Sequence, residues 1–450
     1  MKRKIINALL LSALTSLTSC QSETSVSLCK FTFADMDEDV LPISGWIAPS
    51  SVTECNTLEQ YKILKESGLN TIYAHYETYG DKRASYNIDG KVYDGTEEIY
   101  KALSYAEEVG VKYFVRDAQL FALEGEAFNE AFKSRNYTAY SSFAGFHYMD
   151  EPQTQEQFDN IASAYKKFKQ YVPSKYAFYV NLNPMSLYTG QGKTIYDYQD
   201  YIIAYANTVN PRFLSYDHYA PKNDFPYVKS DYFANLSIFS ETANELGLPF
   251  WAFALASAHY FPYGGWYYRT PTEADIYWQV NTVLAYGAKA LQYFCYQTPV
   301  GTEPNEVYIG RGGSIVNEKG EKSEIFPYIQ KINKFVAFID HILMNSTKIG
   351  LVAYEESPAC YLYEDYYESY KDIKKLETEN DVFISIFKYK NKYAYYVVNN
   401  SLVNDANFTI KFKNPINYKI YTMDLTTDTY KSKSFTSQLK PGEGLLIEKL

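Results

Sequence analysis

The sequence predicts an α/β fold, a (β/α)8 TIM barrel over residues 41–346 with a C-terminal antiparallel β-sandwich domain over 347–450. Three observations predict it. An apolar strand followed by a helical pattern recurs about eight times in about 300 residues, the rhythm and length of a parallel barrel. From about residue 348 the apolar period changes to two, with turn residues between short runs. After the first strand the chain reads Pro49-Ser50-Ser51-Val52, without the glycine-rich turn that a doubly wound open sheet would carry there.

The first twenty residues read as an address. Lys2, Arg3 and Lys4 precede an apolar run over 5–17, which is too short to span a bilayer. Leu17-Thr18-Ser19-Cys20 then resembles a bacterial lipobox. The resemblance implies a signal peptide over 1–19, lipidation at Cys20, and a body tethered to the cell envelope, with the outer membrane expected. Residues 20–40 read as a polar tether with acids at Asp35, Asp37, Glu38 and Asp39.

Barrel strands are expected over 43–48, 71–75, 112–116, 143–149, 177–181, 213–216, 250–255 and 290–296. Helix punctuation separates them. Thr57 with Gln60, and Thr154 with Gln157, have capping-box spacing, and Gly68 can close the first helix. Thr270, Pro271 and Glu273 suit the start of a helix that Gly287 ends. In the C-terminal part, 382–388 and 393–399 flank a hairpin turn at 389–392, and 408–412, 419–423 and 445–448 read as further strands.

Charge narrows the function. The net charge of −10, with no long basic run, argues against nucleic acid as a partner. Beyond Cys20, Cys29, Cys55, Cys295 and Cys360 show no metal-type spacing. A Cys29–Cys55 bridge and burial as small apolar side chains both remain open. No HxH pair and no HExxH motif occurs, so neither a metal nor a cofactor is expected.

The centre of interest is the stretch from Phe143 to Pro152, FAGFHYMDEP. An apolar strand ends there in Asp150 and Glu151, at the barrel face that carries chemistry, and two acids on that rim are where a general acid is sought. Other expected strand ends bring Trp46, His75, Arg116, Asn181, Asn183, Tyr216, Asp217, His218, Tyr219, His259 and Gln297. Four of the five histidines, His75, His147, His218 and His259, lie in or just beyond such ends, which predicts a polar pocket at the mouth. A purely structural reading is also available: Asp150 could pair with Arg116, and Glu151 could help cap the following helix.

Asp150-Glu151-Pro152 resembles the Asn-Glu-Pro ending of the fourth strand in a broad clan of barrel glycoside hydrolases. The segment from Glu273 to Tyr296 with AYGAKALQYF, the turn Asn317-Glu318-Lys319-Gly320, and Leu439-Lys440-Pro441-Gly442-Glu443-Gly444 are similar to such enzymes too. The resemblance casts Glu151 as the general acid and implies a carbohydrate substrate. Tyr216, His218, Asn181 and Trp46 would then contact the sugar, with His75, Arg116, His259 and Gln297 in the pocket. Trp251 and Trp266 are the candidate stacking platforms, and the 48 Tyr and 27 Phe fit either stacking on sugar rings or half-buried packing.

The chain departs from that clan at the seventh strand, where 250–257 contains no carboxylate to serve as nucleophile. Two repairs follow. The adjacent Asp-Glu pair is similar to substrate-assisted hexosaminidases of families 20 and 123, which would make Asp150 the group that orients an attacking acetamide. Alternatively, Asp217 would be an inverting base facing Glu151 at about 6.5–9.5 Å. The missing carboxylate also suits a different class, a non-catalytic glycan-binding lipoprotein on a degenerate barrel. A structural surface protein is the third reading.

Overall fold

The computed structural model describes residues 30–81, 93–189, 191–261, 266–300, 313–353 and 366–450. Strands β1 (Ile43–Gly45), β2 (Thr71–Thr78), β3 (Lys112–Arg116), β4 (Phe143–Asp150), β5 (Ala177–Asn181), β6 (Leu214–Tyr216) and β7 (Phe250–Leu255) form the barrel with a later strand. A hairpin, β8 (His259–Phe261) and β9 (Trp266–Tyr268), precedes that last barrel strand, β10 (Ala290–Phe294). All eight pair in parallel in the order β5-β4-β3-β2-β1-β10-β7-β6. A single bridge between Leu182 and Tyr216 closes the ring, where the Leu182 N–H donates to the Ser215 carbonyl at 2.8 Å.

The connecting helices are α1 (Leu58–Glu66), α2 (Gly95–Val109), α3 (Ala118–Phe121), α4 (Gly125–Arg135), α5 (Gln155–Tyr171), α6 (Met185–Thr189), α7 (Ile195–Val209), α8 (Tyr232–Glu245), α9 (Glu273–Ala285) and α10 (Phe326–Met344). Thr154 and Gln157 make the expected reciprocal capping box on α5. The cap of α9 falls two residues later than the sequence suggested, at Thr272 with Asp275 as its partner. Arg269 holds that Asp275 at 3.0 and 2.6 Å, which fixes the helix start beyond Pro271.

Residues 30–40 are not a free tether. Phe31 and Phe33 are buried in the barrel floor, Phe31 stacked on Phe213 at 4.9 Å and Phe33 against Phe114 at 5.3 Å and Trp251 at 5.6 Å. Each ring adds about 1.5–3 kcal/mol of burial, enough to dock an otherwise polar segment. Above this floor, Tyr73, Phe114 and Tyr179 pack ring to ring at 4.6–5.7 Å. The interior is thus filled from below and opens only at the carboxyl ends of the strands. Cys55 and Cys295 are both free and buried, so Cys55 forms no bridge; Cys29 and Cys360 lie outside the described residues.

The second domain contains β11 (Ser346–Ala353), β12 (Tyr366–Tyr367), β13 (Ile373–Thr378), β14 (Val382–Tyr389), β15 (Lys392–Asn399), β16 (Ala406–Tyr421), β17 (Thr427–Leu439) and β18 (Gly444–Lys449). Its order is β12-β11-β14-β15-β18-β16-β13, with β17 also on β16. The early half of β16 pairs β13 and its late half pairs β18, so one strand serves both layers around a core including Ile384, Val397, Phe408 and Ile447. The separate strands expected at 408–412 and 419–423 are therefore one, broken in register between Lys411 and Ile416. The sandwich docks on α9: Trp278 Nε1 donates to Asn400 at 2.7 Å and Asn281 Nδ2 donates to the Gly442 carbonyl at 2.8 Å. Among the described residues, no helix is long and apolar enough to cross a membrane.

Candidate active site

β4 delivers Asp150 in register with Asn181 of β5, and Glu151 follows with φ of +48°. Consecutive residues of an extended strand face opposite ways. The left-handed turn at Glu151 breaks that alternation, and both acids line the same cavity. A non-glycine residue held there carries local strain, a condition found at functional sites. The Glu151 N–H donates to the Asn181 carbonyl at 2.9 Å, and Tyr201 Oη and Asn183 Nδ2 anchor the Pro152 carbonyl at 2.8 and 2.9 Å.

Asp217, just past β6, completes the cluster. Its carboxyl stands close enough to that of Glu151 for its charge to oppose ionisation of Glu151. Asn181 Nδ2 donates to Asp217 at 2.7 Å and to Asp150 at 3.2 Å. The amide is oriented from below: Ser215 Oγ donates to Asn181 Oδ1 at 3.0 Å, Gln292 Nε2 donates to Ser215 at 2.8 Å, and Tyr73 Oη donates to Gln292 at 2.7 Å. A polar chain therefore runs up through the barrel and ends at three carboxyl groups.

Two carboxyls so placed cannot both ionise without large cost. Burial, then the charges of Asp217 and Asp150, raise Glu151 well above the usual carboxylate range. Burial and Asp150 raise Asp217 too, but the Asn181 and Tyr219 hydrogen bonds oppose that shift. The proton of the pair therefore belongs on Glu151. Asp150 is exposed to the cavity, yet the surrounding recess desolvates it enough to lift it to about 6, against the pull of Asn181 and the Arg116 charge.

The cavity has a volume of about 810 Å³, within the range of small-molecule sites. Trp46 lies at its base, 4.5 Å from the His147 ring and 5.7 Å from the Phe253 ring. His218 and His259 also line it. Burial keeps both imidazoles neutral, His259 at about 4, and the Nε2–H of His218 donates to ionised Asp231 at 3.1 Å. Among the described residues, no group of three or more His, Cys, Asp and Glu side chains is arranged to hold a metal ion.

Several expected contacts lie elsewhere. Tyr216 faces outward between inward-facing Ser215 and Asp217 and stacks on Phe239 of α8 at 4.1 Å. Trp251 faces inward but sits one layer below Phe253, fully buried against Phe213 at 4.0 Å, and cannot be a stacking platform. Gln297 is a brace: it accepts from the Ser50 N–H at 2.7 Å and donates to Thr53 and to the Glu318 carbonyl. His75 and Arg116 occupy the neighbouring rim, Arg116 donating to the His75 carbonyl at 3.1 Å, and neither lines the cavity. Asp150 thus takes Asn181 rather than Arg116 as its hydrogen-bond partner, and Thr154 rather than Glu151 caps α5. The side chain of Trp266 and residue Cys20 lie outside the described residues.

The sequence reading placed Tyr219 at a strand end without giving it a sugar contact and left Tyr268, Phe294 and Lys229 out of the pocket, yet all four line it.

No family model and no curated protein matches the chain. Among solved structures, it is similar to a family 39 glycoside hydrolase from the gut symbiont Bacteroides cellulosilyticus WH2, with TM-score 0.51 and 11% identity over 92% of this chain and 82% of that one. An endo-beta-1,4-mannanase from Thermotoga petrophila gives TM-score 0.43 at 11% identity, covering 90% and 99%. A monomeric beta-xylosidase from Caulobacter crescentus CB15 gives TM-score 0.43 at 11% identity, covering 91% and 96%. At 11% identity the first likeness is one of architecture: this chain shares the barrel-plus-β-domain fold of that structure.

Proposed function

We propose that the chain hydrolyses glycosidic bonds of an oligo- or polysaccharide, with Glu151 as general acid. The observation that carries this reading is the gathering of Glu151, Asp150 and Asp217 in one cavity at the mouth of the barrel. A carboxyl that keeps its proton at neutral pH can pass it to the glycosidic oxygen as the C–O bond breaks. Asp150 and Asp217, ionised and held by Asn181, stabilise the positive charge that develops on the sugar ring.

The cavity wall at β7 is formed by Phe253, not by a carboxylate. That missing carboxylate supports substrate assistance, in which Asp150 or Asp217 orients an acetamide of the substrate and that group attacks. Release of aryl alcohol from a panel of aryl glycosides, including N-acetylhexosaminides, tests this with a form lacking residues 1–20. Turnover lost in Glu151→Gln and restricted to acetamido sugars is expected. Binding of natural glycans with no cleavage of any would instead establish the glycan-binding alternative, which the bare end of β7 favours.

We further propose that Cys20 is lipidated and anchors the protein to the bacterial envelope, on the basis of the lipobox-like Leu17-Thr18-Ser19-Cys20. Radiolabelled palmitate incorporated by the wild type and not by Cys20→Ser is the expected result.

A further inference from the structure

The loop between β6 and α8 is a built wall of the cavity. The Lys229 N–H donates to the Ala220 carbonyl at 3.0 Å, Pro221 bridges Val228, and the Lys222 N–H donates to the Tyr227 carbonyl at 3.4 Å. Residues 220–229 therefore form a small antiparallel hairpin. Its alternation sets Lys222, Tyr227 and Lys229 on one face, and all three line the cavity.

The hairpin is pinned from behind. Arg269, held by Asp275, turns its Nη1 to the carbonyls of Lys222 and Tyr227, and the Asn223 N–H donates to the Tyr267 carbonyl at 2.8 Å. The Lys229 ammonium lies 5.2 Å from the Tyr268 ring centroid, itself part of the cavity wall. Burial pulls Lys229 below the usual lysine range; Asp231 opposes this, Lys222 adds to it, and Asp217 also opposes it. Asp231 is in turn engaged by His218. Two ammonium groups on one wall of a recess repel each other, and an anion between them relieves that repulsion.

We propose that Lys222 and Lys229 form a subsite for an anionic substituent of the sugar, a carboxylate or a sulfate, beside the carboxyl cluster. This deepens the carbohydrate reading above and rests on it. The two walls carry opposite charge, so they also set direction. A ring bound with its anionic group on the hairpin is accepted, and the reversed ring, with that group facing Asp150 and Asp217, is rejected.

The test is a titration of the Glu151→Gln protein with glucuronic acid, galacturonic acid and glucose 6-sulfate against glucose and galactose, at low and high salt. An anionic sugar should bind at least about tenfold more tightly than its neutral counterpart at low salt, with the margin shrinking as salt screens it. Lys229→Met and Lys222→Met should erase the margin and Lys229→Arg should keep it, with circular dichroism verifying that each variant is folded. The carboxylates against the sulfate identify which anion the wall prefers. Equal binding of neutral and anionic sugars, no binding of the anionic ones, or a margin that survives the double Met variant overturns the proposal. Hydrolysis is scored separately on the aryl glycoside panel, so a protein that prefers acidic sugars but cleaves nothing sinks the enzyme reading and leaves this one standing.

Discussion

Ser215 Oγ donates to Asn181 Oδ1 at 3.0 Å and, with a longer bond from Tyr179 Oη at 3.5 Å, fixes which end of the Asn181 amide faces the carboxyl cluster. With Oδ1 occupied below, Nδ2 must point up, where it serves both Asp150 and Asp217. Asn181→Leu removes a donor that favours the ionised form of Asp217. A hydrogen bond to a charged group is worth about 1.5–3 kcal/mol, or about 1–2 pH units. The acidic limb of the kcat/KM profile is expected to move upward by that order, and Ser215→Ala should move it the same way by less.

Glu151→Gln should lower kcat by about 10²–10⁴-fold on a substrate with a poor leaving group. Its effect on stability runs the other way. The folded-state carboxyl titrates well above its unfolded value of about 4.3. The wild type therefore has its full stability from this group below pH of about 4.3 and loses it as pH rises toward the folded value. The amide is uncharged throughout. Its melting temperature should exceed that of the wild type at pH 8, and the gap should close at pH 4; a gap that widens on acidification would contradict the assignment of the proton to Glu151.

Arg116 bears on the same cluster from the neighbouring rim. Its charge favours ionised Asp150, whose carboxyl stands at about 6. If Asp150 acts as an anion, activity rises as pH passes upward through that value, and Arg116→Met shifts the rise to higher pH. An unchanged limb in the folded variant would mean that Asp150 is not the group whose ionisation sets it.

Much of this architecture is legible in the residues themselves. Runs 112–116, 177–181 and 250–255 match β3, β5 and β7 because strands covered on both faces are continuously apolar. β17 escapes the same reading because most of Thr427–Leu439 faces solvent and its sequence is polar. In the site, Asp150, Glu151 and Asp217 are legible as acids at strand ends. Depth and parity are not: Trp251 lies a layer too low, and Tyr216 faces outward because the inward phase of β6 is fixed by Ser215. Lys222 and Lys229 are seven residues apart and meet only through a hairpin that Arg269 holds from another loop.

The junction of the two domains supplies a last expectation. Gly442 has φ of +71°, and a Cβ there would lie 2.4 Å from the Ala274 carbonyl oxygen and 2.7 Å from the Trp278 nitrogen on α9. Both opposing atoms belong to helix backbone, so neither can swing aside. Gly442→Ala must shift the turn away from α9, straining the Asn281 bond to the Gly442 carbonyl and the neighbouring Tyr396 bond to Asn281. The left-handed backbone alone costs on the order of 1–3 kcal/mol, and the clash adds to it. Urea unfolding should show a lower midpoint for this variant. Because α9 also carries Asp275, which holds Arg269 and through it the lysine hairpin, binding of acidic sugars should weaken along with stability. Gly444→Ala, where the nearest atoms are the flexible end of the Asn281 side chain, should cost less; equal losses would mean that the backbone clash at Gly442 is not what sets the fit of the two domains.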